Sequence, residues 1–198
     1  MEKINLFEWR RQFFHLLLGV AIVISLMSGA IDKNIILLIT LLGLLISFLS
    51  RKRKIPIIWH FLEKFERKKE IYKFPGKGTI FYFLGVYLSL LLFPKDIAMA
   101  SIMVLAFGDS ISHLFGLHFG RTKNPMSDTK LLEGTVAGFV AGFFGALVFV
   151  RPFEAFFASL AAMIAEAIEI KIKTEQVDDN IIVPVVAGSA IWIIRYFR

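Results

Sequence analysis

A carboxylate, several glycines and a short run of bases lie together between positions 105 and 139 of this chain. Asp109 stands inside an apolar run. A carboxylate within a membrane costs several kcal/mol unless it has a partner, so Asp109 marks a candidate functional site. The polar and small residues that follow recur at helical spacing and share its face: Ser112, His113, Gly116 and Gly120.

Basic residues come directly after this polar face, and a second apolar run follows them. The bases nearest Asp109 are Arg121, Lys123 and Lys130. The next apolar run opens with Glu133, Gly134 and Thr135. This arrangement could bind a metal-bound phosphate, because it has an acid within the apolar run, bases at the end of the run and glycines between them.

A second group of acids stands near the C-terminus. Glu166 and Glu169 are one helical turn apart near the end of an apolar run, and a loop then carries Asp178, Asp179 and Asn180. One such residue would satisfy the N-cap of a following helix, so the group exceeds what capping needs. Ligands that offer only oxygen are typical of Mg²⁺ sites.

Two further segments carry polar residues at possible phosphate sites. Near the N-terminus, Glu8, Arg11 and His15 recur at helical spacing and form a one-sided polar stripe. The segment P-G-K-G-T contains Lys77 at the start of an apolar run. Its backbone N–H groups could bind a phosphate, or the segment could be a flexible turn with a lysine that reaches the interface.

The elements that position these residues are predicted to be membrane helices. The chain of 198 residues is 57% hydrophobic and has 21 Phe, with a mean hydropathy of +0.69. We predict one integral membrane domain over 1–198, a bundle of about seven spans. They are 12–29, 34–49, 78–93, 97–118, 133–150, 153–170 and 181–197. Six spans with one re-entrant segment are the alternative.

The distribution of Lys and Arg predicts a cytoplasmic N-terminus. With that orientation, 18 of the 23 bases lie on the inner side, as does every polar cluster described above. Basic inner loops facing anionic lipid headgroups explain the net charge of +7 without a nucleic-acid partner. The chain has no Cys, which excludes disulfides and thiolate metal sites.

Residues 50–77 form the one sizeable segment predicted to lie outside the spans, and a helix is expected within it over 55–70. Ile58, Phe61, Leu62 and Phe65 face one way, with bases and acids opposite. Pro56 fits near a helix start. We predict an amphipathic helix that lies at the membrane interface.

Five segments in order resemble the polyprenol kinase family, which includes dolichol kinases, phytol kinases and CTP-dependent diacylglycerol kinases. They are E-W-R-R-Q-F-F-H, P-G-K-G-T-I-F-Y-F-L-G, G-D-S-I-S-H-L-F-G-L-H-F-G-R-T-K, K-L-L-E-G-T and V-D-D-N-I-I-V-P. Two positions depart from the family pattern. Ser112 stands where Ala is usual, and Leu131 replaces a hydroxyl residue.

The resemblance implies transfer of the γ-phosphoryl group of CTP to a lipid alcohol, with Mg²⁺, at a site facing the cytoplasm. The residues expected to act in catalysis are Asp109, Glu133, Asp178, Asp179 and His15, and the metal is expected on Asp109, Glu133 and Asp178. Nucleotide and phosphate contacts are expected from Arg121, Lys123, Lys130, Gly134, Thr135, Arg11, Lys77 and Asn180. Further polar candidates are Ser112, His113, Glu166 and Glu169.

Two other functions stay open at this point. The core from Asp109 to Gly134 is also similar to phosphatidate cytidylyltransferases, which use CTP and Mg²⁺, but their C-terminal motif is replaced here by D-D-N. A small transporter would place intramembrane acids along its pathway. The outer half of every predicted span is nearly featureless, which favours an enzyme at the inner interface.

Overall fold

A computed structural model describes residues 6–52, 55–125, 127, 130–168, 171–172 and 175–197. The helices of this part are α1 (Leu6–Met27), α2 (Lys33–Lys52), α3 (Pro56–Phe65), α4 (Lys68–Lys73), α5 (Lys77–Leu92), α6 (Lys95–Met103), α7 (Ser110–Phe119), α8 (Leu132–Ala146), α9 (Pro152–Ile168) and α10 (Asp179–Tyr196). A π-helical segment, Val104–Asp109, joins α6 and α7 into a continuous rod. Two-residue strands, Lys171–Ile172 and Glu175–Gln176, pair antiparallel before α10.

The prediction of an all-helical membrane bundle is confirmed at the level of fold class. Within the described part of the chain, four helices are long and apolar enough to cross a membrane: Leu6–Met27, Lys33–Arg51, Lys95–Phe119 and Asp179–Tyr196. Helices α5 and α8 are also apolar but shorter. Each of the seven predicted segments overlaps a helix. The seven-span topology and the cytoplasmic N-terminus stay predictions.

The rod formed by α6, the π segment and α7 lies at the centre of the bundle. It contacts α1, α5, α8, α9 and α10. Ile97, Ile102, Val104 and Leu105 on the rod are at most 1% exposed. A helix that is apolar on all sides belongs in the core of a bundle, and this rod carries Asp109 into that core.

Glycines bring α8 against the rod. A Cβ atom at Gly138 would lie 2.7 Å from the Gly108 carbonyl oxygen and 2.7 Å from Ser112 Cβ. Gly134 similarly lies against the Ser112 carbonyl. Small residues at a helix interface let two backbones approach closely. The start of α8, and the loop that precedes it, are therefore held beside Ser112.

The π segment ends at Asp109, and the face predicted from Asp109 to Gly120 follows it along α7. Helix α7 begins one residue later, at Ser110, and Gly120 lies just beyond its end in an extended conformation. A π turn holds one more residue than an α turn, and such turns are frequent at functional sites. Asp109 and Ser112 both lie beside Glu166 of α9.

The segment predicted as one amphipathic helix over 55–70 is two helices, α3 and α4. The chain breaks at Glu66, which adopts an extended conformation with φ −123° and ψ 146°. Its carboxylate turns inward and accepts hydrogen bonds from the Gly76 N–H at 2.6 Å and the Gly78 N–H at 3.4 Å. This contact with the start of α5 ends the helix earlier than its periodicity indicates. Its position at the membrane interface stays a prediction.

An ion-pair cluster around the buried Glu154 joins three helices at the end of the bundle opposite Asp109. Arg195 Nε donates to Glu154 Oε1 at 3.0 Å, and Arg195 Nη1 donates to Asp96 Oδ2 at 2.6 Å. Glu154 is only 2% exposed. Asp96 and Asp109 are separated by more than three helical turns of one rod, roughly 20 Å. This cluster pins α6, α9 and α10 together far from the candidate site.

Arg195→Met is expected to lower thermal stability without changing turnover by the folded protein. The change leaves the buried Glu154 carboxylate without its main donor, at a cost of about 1–3 kcal/mol. Thermal unfolding in detergent measures the first effect and steady-state kinetics the second. Lys33→Met, which removes an exposed base at the start of α2, is the control. A variant as stable as the control would contradict this structural role.

Candidate active site

Three carboxylates from three different elements meet at one end of the bundle. Asp109 ends the π segment, Glu166 lies in the last turn of α9, and Asp179 begins α10. One oxygen of each lies within 4.8 Å of the others. Glu166 is only 2% exposed. Carboxylates this close repel one another, so a neighbouring cation would stabilise their charged forms.

Lys130 supplies one positive charge to this cluster. Its Nζ atom donates to Glu166 Oε1 at 2.8 Å, to Asp179 Oδ2 at 2.9 Å and to the Glu166 carbonyl at 2.9 Å. Burial alone would lower the pKa of Lys130, but the charges of Glu166 and Asp179 more than offset it and raise the pKa above its usual value. Lys130 therefore stays charged, and one ammonium group faces three acids.

A folded loop delivers Lys130 to the acids. Lys123 and Leu131 pair as an isolated β-bridge, and the Asn124 N–H donates to the Lys130 carbonyl at 3.1 Å. The loop thus doubles back between α7 and α8. Arg121 and Lys123 stay exposed on its outer side.

Ser112 and His15 border the acids from the sides. Ser112 Oγ lies 3.3 Å from Glu166 Oε2 and donates to that carboxylate. His15 Nε2 lies 3.5 Å from Asp109 Oδ2 and has no hydrogen-bond partner among the described residues. The ring of His15 packs edge-on against Tyr82, with centroids 4.4 Å apart.

Glu8 organises a second polar group next to the first. Its carboxylate accepts from Arg11 Nε at 3.0 Å and Arg67 Nε at 3.2 Å, and lies 3.0 Å from His113 Nε2. Glu8 is 8% exposed. The sequence pattern predicted that Glu8 lies on the N-terminal stripe but indicated no role for it. Its pairing with Arg67 could not be predicted, because the two residues are 59 positions apart in the chain.

The metal prediction named Asp109, Glu133 and Asp178, whereas the structure groups Glu166 and Asp179 with Asp109. Glu133 instead accepts hydrogen bonds from the Thr122 N–H at 3.0 Å and the Thr122 hydroxyl at 2.8 Å. Its carboxylate therefore fastens the loop to the start of α8.

Asp178 serves as the N-cap of α10. Its Oδ1 atom accepts from the Asn180 N–H at 3.2 Å and from Asn180 Nδ2 at 2.7 Å, and Lys77 Nζ lies 3.7 Å from Oδ2. Burial raises the pKa of Asp178, and the Asn180 bonds and Lys77 charge oppose this. The two Asp residues of the D-D-N segment therefore have different roles: Asp178 caps α10, and Asp179 belongs to the acidic cluster.

The remaining predicted positions have local roles in the structure. Gly134 allows the close contact between α8 and α7, and Thr135 Oγ1 donates to the Leu131 carbonyl at 3.4 Å. Glu66 occupies the N–H groups at the start of α5, and burial raises the pKa of this carboxyl. The P-G-K-G-T segment therefore already holds an internal carboxylate. Glu169 lies outside the described residues.

Two cavities border the acidic cluster. One, with about 650 Å³ of empty space open to solvent, includes Asp109 and His15 among its lining residues. The other, of about 500 Å³, includes Glu166, Lys130 and Ser112. The cluster thus lies where two cavities meet, an arrangement that can bring two substrates together.

Comparison with known proteins relates the chain to lipid kinases. It is 32% identical over 186 residues to an uncharacterized protein of Methanocaldococcus jannaschii, covering 93% of this chain and 92% of that protein. It is 29% identical over 143 residues to CTP-dependent diacylglycerol kinase 1 of Schizosaccharomyces pombe, covering 64% of each. It is 30% identical over 122 residues to phytol kinase 1 of Arabidopsis thaliana, covering 54% of this chain and 40% of that one.

The chain therefore belongs to the polyprenol kinase family, a family of lipid kinases, as its motifs indicated. The alignments span less than two thirds of the two named kinases. No family model matches the chain. No solved structure matches it at a significant level.

Proposed function

We propose that this protein is a CTP-dependent kinase of a membrane lipid alcohol, either a polyprenol-like alcohol or diacylglycerol. The observation that carries the proposal is the cluster of Asp109, Glu166 and Asp179 with Lys130, set between two cavities. The kinases named among its relatives support CTP as the donor. Phosphoryl transfer requires mainly positioning and charge stabilisation, and the cluster can supply both.

In the proposed reaction the acceptor hydroxyl oxygen bonds to the γ-phosphorus of CTP as the bond from that phosphorus to the β–γ bridging oxygen breaks. CDP leaves with the electron pair of the broken bond, and the hydroxyl proton passes to a base. His15 is the group placed to accept this proton, because Nε2 borders Asp109 and has no hydrogen-bond partner among the described residues. The products are CDP and a lipid phosphate.

The donor set fits Mg²⁺. Three carboxylates offer oxygen ligands within 4.8 Å of one another, and Lys130 compensates only part of their charge. We assign Asp109, Glu166 and Asp179 as the residues that would hold the ion. When bound, Mg²⁺ would neutralise negative charge on the phosphates. Lys130 keeps Glu166 and Asp179 in place through its hydrogen bonds.

We also propose which side of the membrane the acidic cluster faces, from the two connections that lie near it. The acidic cluster lies near the basic loop between α7 and α8 and near the polar segment before α10. The positive-inside rule assigns both connections to the cytoplasm. CTP is a cytosolic nucleotide and the acceptor resides in the bilayer, so we propose that the site lies at the cytoplasmic interface.

Arg121→Gln and Lys123→Gln are each expected to raise the KM for CTP by about 2- to 5-fold, because exposed bases contribute modestly to phosphate binding. The KM for the lipid should change less. Steady-state kinetics in mixed micelles measures both constants. Lys95→Gln, at the start of α6, is the control because it lies at the other end of the rod. If only the lipid KM rises, these bases anchor lipid headgroups instead.

A nucleotide-release assay tests the proposed activity. Purified protein is incubated with CTP, Mg²⁺ and a panel containing a polyprenol, phytol, diacylglycerol and phosphatidate. We expect CDP and a phosphorylated alcohol with at least one alcohol of the panel. Pyrophosphate release that depends on phosphatidate would identify a cytidylyltransferase instead. Neither product from any lipid would overturn the proposal.

A further inference from the structure

The cavity that includes Asp109 and His15 has a polar end and an apolar end. It lies between α1, α3 and α5, and Asp109 and Asn180 border it from the rod and α10. Its apolar side is formed by Phe14, Leu18, Phe61, Leu62 and Phe65. The rings of Phe14, Phe61 and Phe65 pack together, with centroids 4.7 to 5.4 Å apart.

The polar end holds side-chain atoms whose hydrogen bonds are unmet. His15 Nε2 and Asn180 Oδ1 are buried and have no hydrogen-bond partner among the described residues. Tyr82 lines the same end through its ring, while its hydroxyl group packs against Gly19 of α1. Buried polar groups are nearly always hydrogen-bonded, so unmet atoms lining a cavity indicate a missing polar partner. A single hydroxyl group can both donate to and accept from such atoms.

Charge argues against a polyphosphate in this cavity. Glu66 and Glu70 line it, and Asp109 stands at its polar end. Arg11, the one Arg or Lys among the described residues that line it, is already paired with Glu8. A triphosphate would meet three carboxylates here, whereas an uncharged alcohol would not.

The second cavity has the opposite character. It is lined by Lys130, Ser112, His113 and Gly116, together with Leu117, Leu131 and Glu166. The exposed bases Arg121 and Lys123 belong to the loop that supplies Lys130. A phosphate chain finds cations on this side of the acidic cluster, which suits the nucleotide.

We propose that the cavity between α1, α3 and α5 binds the hydroxyl-bearing end of the lipid alcohol. The hydroxyl group lies near Asp109, His15 and Asn180. The first carbons of the chain pack against the rings of Phe14, Phe61 and Phe65. The nucleotide occupies the Lys130 side. This inference rests on the proposed lipid kinase function. It assigns α3 to substrate binding as the wall that contacts the acceptor chain.

Phe65→Ala tests this assignment by kinetics. We expect the KM for the lipid alcohol to rise about 10-fold while the KM for CTP stays within about 2-fold, since truncating an aromatic wall weakens apolar contacts alone. Phe144→Ala is the matched control, because Phe144 is 63% exposed on α8 and lines neither cavity. A rise in the KM for CTP, or equal effects in both variants, would overturn the proposal.

Photolabelling tests it without relying on catalysis or on the variant's stability. A long-chain primary alcohol with a diazirine near its hydroxyl end is bound to the wild-type protein and irradiated, and the labelled peptides are identified by mass spectrometry. We expect labelling of α1 and α3 that excess unlabelled alcohol suppresses. Labelling confined to α7 and the 120–131 loop would overturn the assignment. A labelled cavity in a protein that produces no CDP would instead refute the proposed kinase function.

Discussion

Asp109→Asn is expected to reduce turnover by about 100- to 1,000-fold and to leave the fold intact. Asp109 lies within 4.8 Å of Glu166 and Asp179, and its carboxylate is the one from the central rod. An amide keeps the shape but lacks the charge that binds a cation, and losing one preorganised electrostatic group at a reacting centre costs rates of this order. Removing one of three mutually repelling acids should not destabilise the protein.

Turnover is measured by CDP release, and folding by thermal unfolding and size-exclusion chromatography in detergent. Asp32→Asn is the matched control. Asp32 Oδ1 accepts from the Asn34 and Ile35 N–H groups at the start of α2, and asparagine caps a helix equally well. Near-normal turnover in Asp109→Asn would exclude Asp109 from the chemistry.

Lys130→Met is expected to impair both turnover and stability. Lys130 Nζ contacts Glu166 and Asp179 at 2.8 and 2.9 Å, and the Glu166 side chain is 3% exposed. Removing one partner of a buried ion pair typically costs about 3–5 kcal/mol, because the other charge is left buried and uncompensated. We expect turnover to fall by at least about 100-fold, because the displaced carboxylates can no longer position the substrates.

Two further variants, one at position 130 and one elsewhere in the same loop, serve as controls for this test. Lys130→Arg keeps the charge and should recover part of the stability but less of the activity, because a planar guanidinium cannot reproduce the same three contacts. Lys123→Met removes an exposed base from the same loop and should leave thermal stability unchanged. Wild-type stability and turnover in Lys130→Met would show that the ion pairs have no role.

Local patterns in the sequence were sufficient to predict where the helices lie but not where their regular geometry is interrupted. The long apolar runs of a membrane protein predict the position of every main helix. Asp109 stands out because it is a carboxylate inside such a run. The π segment that ends at Asp109 is not visible in that pattern, because residues 104–108 continue the same apolar run as the helix before them. The break at Glu66 is equally hidden, since it depends on N–H groups at the start of α5.

The sequence also predicts which acids are candidates for the site but not which of them lie together. Glu133 and Glu166 both look like candidates in the sequence, since Glu133 is a carboxylate at the start of an apolar segment and Glu166 is one near the end of another. The structure separates them, because Glu133 lies beside Thr122 and Glu166 lies beside Lys130. Similarly, Asp178 and Asp179 are adjacent, yet the N-cap geometry of α10 directs only Asp179 to the cluster.

The sequence by itself determined that this protein is a helical membrane protein of the polyprenol kinase family, because hydropathy and motif order are local properties of the chain. Only the tertiary structure decided which carboxylates share a site, that Lys130 pairs with two of them, and that Glu8 binds Arg67 as well as Arg11 of its own helix. Apart from the Glu8–Arg11 pair, those contacts join residues from separate elements of the fold. Their distances depend on how glycine-mediated packing sets the spacing of the helices, which no single segment encodes.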